Sequence, residues 1–301
     1  MKGLTHKTKV LLCVIFFLLV CSTIISIDWK KTNVITSELV LKEIIPDVSN
    51  VVINFNHTDL QQTINIKKIG ESFFLYFADD KKYKVPETTI VNFFSVLTTK
   101  NKMMLISKNA KTSLTNGTKV ILRNASGTLL SDITFGEVDT LGINRYVMLG
   151  DGITVYKAPD IYSTFLKTGY ARWIETQPFK TMFKTDSIQS VTVDNIFTIK
   201  NERNARDFAK FEEALSALQV LDVFAANEST MENDGAKYRV ECVFGSGRKV
   251  SLVLSELANS SDYILRSETA SEKYPPYTVS AYAVERLIKT AESVKSFYND
   301  I

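Results

Sequence analysis

Two stretches with one pattern decide the expected fold: GTKVILRNASGTLLSDI at residues 117–133 and GAKYRVECVFGSGRKVSLVL at residues 235–254. In each, apolar and polar residues alternate on both sides of a Ser-Gly pair, at 126–127 in the first and 246–247 in the second. Alternation with a period of two predicts strands with one buried face, and the central glycine predicts a tight turn. Each stretch is therefore a predicted β-hairpin.

The elements around these hairpins recur in one order. A helical pattern precedes each hairpin, and a further strand, then a second helical pattern, follow it. The hairpin turns lie 120 residues apart, and the motifs FLKT (165–168) and LIKT (287–290) lie 122 apart. Shared order and spacing indicate an internal repeat. We therefore expect an α+β fold of two tandem repeated units, residues 32–180 and 181–301, each an antiparallel sheet with flanking helices.

Four helices are predicted from apolar residues spaced three or four positions apart. The first begins after Pro86, the second covers residues 204–221, and the third lies at the C-terminal end of the chain. A shorter helix is predicted to begin at Pro159, because proline is favoured at the first helical position. The expected buried residues are Ile90, Phe93, Phe94 and Leu97; Phe208, Phe211, Leu215 and Leu218; Ile161, Phe165 and Leu166; and Val284, Leu287, Ile288, Ala291 and Val294.

Residues 10–27, VLLCVIFFLLVCSTIISI, contain no charged side chain. As a helix they would span roughly 27 Å, close to the hydrocarbon core of a bilayer. Lysines precede the run, and Trp29 after it suits a membrane interface. We expect a retained transmembrane helix, with residues 1–31 as cytoplasmic tail and anchor and the body on the periplasmic side of a bacterial inner membrane. A cleaved signal peptide and lipid attachment at Cys21 are the open alternatives.

The charge balance argues against a polyanionic partner. The whole chain carries 36 basic and 33 acidic residues. Five of the lysines and one aspartate lie in residues 1–31, which leaves 31 basic and 32 acidic residues in the remainder. A nucleic-acid-binding protein normally needs a marked basic surplus, so we expect no nucleic-acid partner.

The sequence offers no recognisable catalytic set. Beyond residue 31 it holds one histidine, His57, and one cysteine, Cys242, so neither a Cys/His zinc site nor a histidine-based triad can be assembled. Cys242 lies in an alternating strand pattern and is predicted to be a buried structural thiol. The aspartates at 79–80 and 151 occupy predicted hairpin tips, where Asp serves turn geometry. We therefore predict no catalytic, cofactor-binding or metal-binding residues, and a protein that is not an enzyme.

Two arginine–aromatic pairs, Arg145-Tyr146 and Arg172-Trp173, are the remaining candidates for holding an anion. Packing of the arginine stems at strand edges is the favoured interpretation of both pairs. They are therefore treated as structural.

Three stretches carry a resemblance to a known family: DVSNVVINF at 47–55, FFLYFADDKKYKVPETTIVNFFSVL at 73–97, and SDITFGEVDTLGINRYVMLGDGITVYKAP at 131–159, the last followed by ARWIET. The pattern covers about two thirds of the chain and resembles the bacterial domain-of-unknown-function family four-three-four-zero. The resemblance implies a single-span protein with a β-rich periplasmic body, often encoded beside ABC-type transporter components of the gliding or export kind. It supplies no catalytic residues.

Together these observations predict a membrane-tethered, extracytoplasmic interaction protein, an accessory to an ABC-type transporter. The alternative is a binding module for an envelope glycan or another small ligand. It would use a cleft between the two units. Tyr76, Tyr146 and Tyr156 in the aromatic-rich hairpins favour it only weakly, because such residues more often pack in a core or on a sheet face.

Overall fold

A computed structural model describes residues 13–23, 33–57, 60–77, 82–108, 114, 116–150, 152–180, 188–193, 197–200, 205–224, 236–257, 260–268 and 275–299. Packing divides the chain into two compact units. The first unit comprises residues 1–68 and 91–167, and the second comprises residues 69–90 and 168–301.

The first sheet has ten strands in the order β1-β6-β10-β9-β8-β7-β2-β3-β4-β5. The pairs of this sheet with a described register are antiparallel. The strands are β1 Val34–Ser37, β2 Asn50–His57, β3 Leu60–Ile69, β4 Ser72–Tyr76, β5 Lys82–Lys84, β6 Asn101–Ser107, β7 Thr118–Arg123, β8 Leu129–Val138, β9 Asn144–Leu149 and β10 Val155–Pro159. Helix α1, Glu87–Thr98, lies between β5 and β6 in the chain.

The second sheet has seven strands in the order β12-β11-β14-β15-β16-β17-β13, again in antiparallel pairs. The strands are β11 Ile188–Val193, β12 Phe197–Lys200, β13 Val220–Val223, β14 Ala236–Phe244, β15 Lys249–Glu256, β16 Tyr263–Ser267 and β17 Tyr277–Val279. Helices α2, Ala205–Ser216, and α3, Ala281–Asn299, contact each other. Short 3-10 turns cover Lys42–Asp47, Ser163–Phe165 and Ala171–Trp173.

Both sheets contain one order of seven strands. In the first sheet it runs β6-β10-β9-β8-β7-β2-β3, and in the second it runs β13-β17-β16-β15-β14-β11-β12. Strands in matching places also follow one another in the same sequence along the chain, with α1 and α2 in equivalent positions. The two units therefore share a structural repeat. Strands β1, β4 and β5 extend the first sheet beyond it.

Alternation along the strands produces the buried faces. Val51, Ile53 and Phe55 of β2 are fully buried, and the register places Val51 opposite Leu122 and Ile53 opposite Val120, which are buried as well. In the second sheet, Val240, Cys242 and Phe244 of β14 are buried in the same way. The predicted hairpins at 117–133 and 235–254 are confirmed as β7–β8 and β14–β15.

The faces predicted for the three longer helices are confirmed where they are described. Each helix buries apolar side chains at helical spacing. These are Ile90, Phe93, Phe94 and Leu97 in α1; Phe211, Leu215 and, just beyond its end, Leu218 in α2; and Val284, Leu287, Ile288 and Ala291 in α3. The side chains of Phe208 and Val294 lie outside the described part.

The α+β fold class is wrong. In the described part of the chain antiparallel strands predominate, arranged in sheets of ten and seven strands, and helices are few. The helix expected from Pro159 does not form, because Pro159 is the last residue of β10 and pairs with Asn144. Only the short turn Ser163–Phe165 follows it. The apolar spacing at 161–166 instead reflects a compact segment in which Phe165 and Leu166 are buried while Ile161 stays exposed.

The predicted transmembrane helix, and with it the single-pass inner-membrane location, is also wrong. Among the residues that the structure describes, no helix combines the length and the apolar character needed to cross a membrane. Of the predicted span 10–27, residues 13–23 are helical, and residues 10–12 and 24–27 lie outside the described part.

A carboxylate and a glycine fix the segment before the turn Ala171–Trp173. Asp222 of β13 accepts hydrogen bonds from the backbone N–H groups of Tyr170 (2.7 Å) and Val223 (2.8 Å). Burial raises the pKa of Asp222, and the backbone donors oppose that shift. Gly169 has a φ of +91°, and a Cβ atom there would collide with the Asp222 carboxylate. Only glycine both adopts this positive φ without strain and leaves room for the Asp222 carboxylate.

Replacing Gly169 with alanine is expected to lower the free energy of unfolding by about 2–4 kcal/mol, because it adds a steric clash to the backbone strain. The matched control is Gly127→Ala, where φ is +84° but no heavy atom lies within 4 Å of the added Cβ. That variant should lose only the conformational part, about 1–2 kcal/mol. Urea unfolding of both variants measures the difference. Equal losses would show that contact with Asp222 contributes nothing.

The Cys242 thiol is fully buried, as predicted, and burial raises its pKa to about 12 from an ordinary value of 9.0. At pH 8 the thiolate fraction then falls roughly a thousandfold, and reagent access is lost as well. In a chain carrying Cys13→Ser and Cys21→Ser, Cys242 should resist maleimide in buffer and react fully in denaturing urea. Rapid labelling of the folded chain would contradict this burial.

Candidate functional site

The connection between β8 and β9, residues 139–143, is a tight loop with defined backbone hydrogen bonds. Asp139 N–H donates to Asn144 O (2.7 Å), which closes the loop at its base. Gly142 N–H donates to Asp139 O (2.8 Å), and Gly142 adopts a φ of +72°, which glycine tolerates without strain. The loop therefore has one well-determined path.

The Asp139 side chain pins this loop. One carboxylate oxygen accepts from the N–H groups of Ile143 (3.0 Å) and Asn144 (3.2 Å). The other accepts from Asn144 Nδ2 (2.9 Å) and from Lys157 Nζ of β10 (2.8 Å). Hydrogen bonds from Asn144 and Lys157 hold the pKa of Asp139 far below its ordinary value of 3.8, and the Asp139 carboxylate raises the pKa of Lys157. Both carboxylate oxygens are thus engaged at neutral pH.

A second ion pair holds the adjoining segment. Arg145 of β9 donates through Nε to Asp160 Oδ1 (2.9 Å) and through Nη1 to Gly136 O (2.6 Å). Its Nη2 also donates to Ser163 Oγ (2.9 Å), and Ser163 donates to Asp160. Burial opposes ionisation of Asp160, but the bonds from Arg145 and Ser163 outweigh it, so the Asp160 pKa is lowered. This network joins the ends of β8, β9 and β10.

The pinned loop carries apolar side chains that point into solvent. Leu141 is 76% exposed and Ile143 is 63% exposed. Asp160 N–H donates to Ile143 O (2.9 Å), which brings Ile161, 38% exposed, close to the loop. Loop tips normally carry polar residues, and large apolar side chains grouped on a protein surface commonly mark an interaction site. We call Leu141, Ile143 and Ile161 the apolar tip.

The equivalent loop of the second unit provides an internal comparison. Between β15 and β16, Leu257 N–H donates to Asp262 O (2.9 Å) and Ser260 N–H donates to Leu257 O (3.2 Å). These bonds match those of Asp139, Asn144 and Gly142 in the first loop. Counted along the sequence from these bonds, Ser261 corresponds to Ile143 and Leu257 to Asp139, while Asn259, the sequence counterpart of Leu141, lies outside the described residues. The apolar tip and its pin are therefore features of one repeat.

The other residues considered from the sequence do not form a site. Arg145 is committed to Asp160 and Gly136, which supports its structural interpretation. Tyr156 faces the same side of the sheet as Val147, opposite which it lies, whereas Tyr146 lies on the other side. These two tyrosines therefore do not share a platform. The aspartates at 79–80 and 151 lie outside the described residues.

Within the described ranges, no group of three or more His, Cys, Asp or Glu side chains is placed to hold a metal ion. The predicted lack of catalytic, cofactor and metal residues stays a prediction.

Sequence reasoning missed the apolar tip, although one signal was available. The stretch DTLGIN places two aliphatic residues around a glycine between two predicted strands, where a polar turn is the rule.

Replacing Asp139 with asparagine should destabilise the protein, because the amide loses the ion pair with Lys157 and presents a donor to other donors. Since the folded-state pKa is lowered, the stabilisation is present above the ordinary pKa of 3.8 and is lost as the pH falls below it. Wild-type stability should therefore drop more steeply than variant stability between pH 5 and pH 2.5, as measured by thermal unfolding. The control is Asp132→Asn, which breaks the more exposed pair with Lys119 (2.9 Å) and should change stability little. If the stability of Asp139→Asn and that of the wild type changed with pH in parallel, the Asp139 carboxylate would not hold the loop as described.

Comparison with known proteins places this chain in no family. No family model matches it, and no solved structure matches it. An uncharacterised protein of Treponema pallidum (strain Nichols) is 20% identical over 185 residues, which cover 59% of this chain and 58% of the relative. This chain therefore spans a little over half the length of that relative.

Proposed function

We propose that this protein acts without catalysis, as an interaction protein that binds a partner protein through the apolar tip. The single observation that carries the proposal is the exposure of Leu141 and Ile143 on a loop whose path is fixed by the largely shielded Asp139 carboxylate. The resemblance described above suggests a component of an ABC-type transporter as the partner.

Rigidity of the loop is what makes it suitable for binding. A flexible loop loses conformational entropy when it is ordered at an interface, at about 0.5–1.5 kcal/mol for each immobilised side chain. The backbone path of this loop is already fixed by Asp139 and Gly142 in the free protein. Burial of its aliphatic side chains can therefore contribute to affinity with little ordering penalty.

A glycan-binding role has weaker support. Such sites use aromatic rings together with polar side chains on one surface. The register separates Tyr146 and Tyr156 onto opposite faces of the first sheet. No described arrangement favours a glycan over a protein partner.

The proposal is tested by converting the tip to the residues of the second repeat, Leu141→Asn with Ile143→Ser. Burial of each side chain is worth about 1.5–3 kcal/mol, so the loss of both should lower partner affinity by about a hundredfold or more. The tagged full-length chain is crosslinked in the cells that make it, and the recovered partner is quantified by mass spectrometry.

The control variant is Leu129→Asn, which removes an exposed leucine at the opposite end of β8 from this loop. It should leave partner recovery unchanged. Equal recovery with the wild type and with the tip variant would contradict the proposed function, as would recovery of the chain alone.

A further inference from the structure

We infer that Arg266 of β16 binds the carboxylate group of an organic ligand through the N–H groups at its Nε and Nη2 atoms. The ligand is a singly charged carboxylate with an apolar body. This binding site is separate from the apolar tip and goes beyond the proposed function.

Two donors of Arg266 have no acceptor. Nε and Nη2 have essentially no contact with solvent, and neither donates a hydrogen bond within the described part of the chain. These nitrogens lie on one edge of the planar guanidinium group, so their N–H bonds point the same way and match the two oxygens of a carboxylate. A shielded donor without an acceptor costs free energy, and more so when it is charged. The unpaired edge of Arg266 therefore indicates an oxyanion that completes it.

The neighbours of Arg266 on its face of the sheet are apolar on one side. Val253 of β15 lies opposite Arg266, and Ile264 lies two residues before it on the same face. Both are buried, at 6% and 1% exposure, whereas Glu268 beyond the end of β16 is exposed. Arg266 is half-buried and stands between the covered part of this face and solvent. The ligand therefore enters from the side of Glu268, displaces the atoms that shield the two donors, and meets apolar side chains with its body.

The charge of the ligand follows from the ion pairs beside Arg266. The cations of β14 and β15 each pair with a glutamate. These pairs are Lys237 with Glu256, Arg239 with Glu268 (3.2 Å) and Lys249 with Glu241 (3.9 Å). The positive charge of Arg266 is thus left for the ligand. A carboxylate neutralises it, whereas a phosphate dianion would leave an uncompensated negative charge in a shielded place, which is costly.

The test follows the Nε–H group of Arg266 directly by NMR. The full chain is made with 15N-labelled arginine, and the variants Arg266→Lys and Arg239→Lys identify the two Nε–H signals by their loss. Butyrate is the probe, added at constant ionic strength against chloride. The Arg266 signal should shift until it saturates, because the N–H group gains a charged acceptor. The Arg239 signal should stay in place, and phosphate should need at least a tenfold higher concentration for the same shift.

The same binding should stabilise the folded chain. At about ten times its dissociation constant, butyrate should raise the unfolding temperature of the wild type by about 3–6 °C. Arg266→Met should abolish this rise, and the matched control Arg239→Met should keep it. Arg266→Lys keeps the charge but loses the paired donors, so it should lose most of the rise.

Each contrary result has one meaning. If neither butyrate nor phosphate moves the Arg266 signal, Arg266 binds no oxyanion and the inference fails. A stronger response to phosphate than to butyrate would overturn the carboxylate class. Equal shifts of the Arg266 and Arg239 signals would show general ion screening and no site. The variant Leu141→Asn with Ile143→Ser should bind butyrate as the wild type does, so failure of this site and failure of the proposed function are distinguishable.

Discussion

Antiparallel register is the constraint on which the rest of the structure depends. Because side chains alternate between the faces of a strand, one buried face requires that β2, β7 and β8 pair without a slip. Val120 of β7 lies opposite both Ile53 and Ile133, and all three are buried. A shift of one residue in β8 would exchange the buried Ile133 for Asp132 or Thr134. The same register sets where β8 and β9 end, and so it sets the position of the loop between them.

Features that depend on a local pattern could be predicted from the sequence. Alternation around a Ser-Gly pair located the β7–β8 and β14–β15 hairpins, and helical spacing located α1, α2 and α3. The helix expected at Pro159 failed because a tertiary contact overrode the local pattern. Tyr162 is buried with its ring centroid 5.0 Å from that of Phe135, and Asp160 is held by Arg145. Fifteen residues separate that last pair, so no local window contains both partners.

Dependence on residues far apart in the sequence also explains why the candidate site was missed. The stretch DTLGIN indicates two aliphatic residues in a turn, but nothing within that stretch shows that Leu141 and Ile143 are exposed. Their exposure follows from the four interactions of the Asp139 carboxylate, one of which comes from Lys157 in a different strand. Only the paired sheet brings Lys157 within 2.8 Å of that carboxylate. In the second repeat the sequence replaces both Asp139 and the two aliphatic residues, and this comparison distinguishes the first loop from its counterpart.

The three strands outside the shared order all lie at the margins of the first sheet, with β1 at one side and β4 and β5 at the other. A strand inserted in the middle of a sheet would have to break one existing ladder, whereas one added at a margin breaks none. Copies of a β-sheet unit can therefore diverge by adding strands at the margins while the order of the interior strands stays fixed. Related chains that differ greatly in length would on this basis be recognised by their seven central strands. Lys82 and Lys84, exposed on the outermost strand β5, would discourage any further addition at that side.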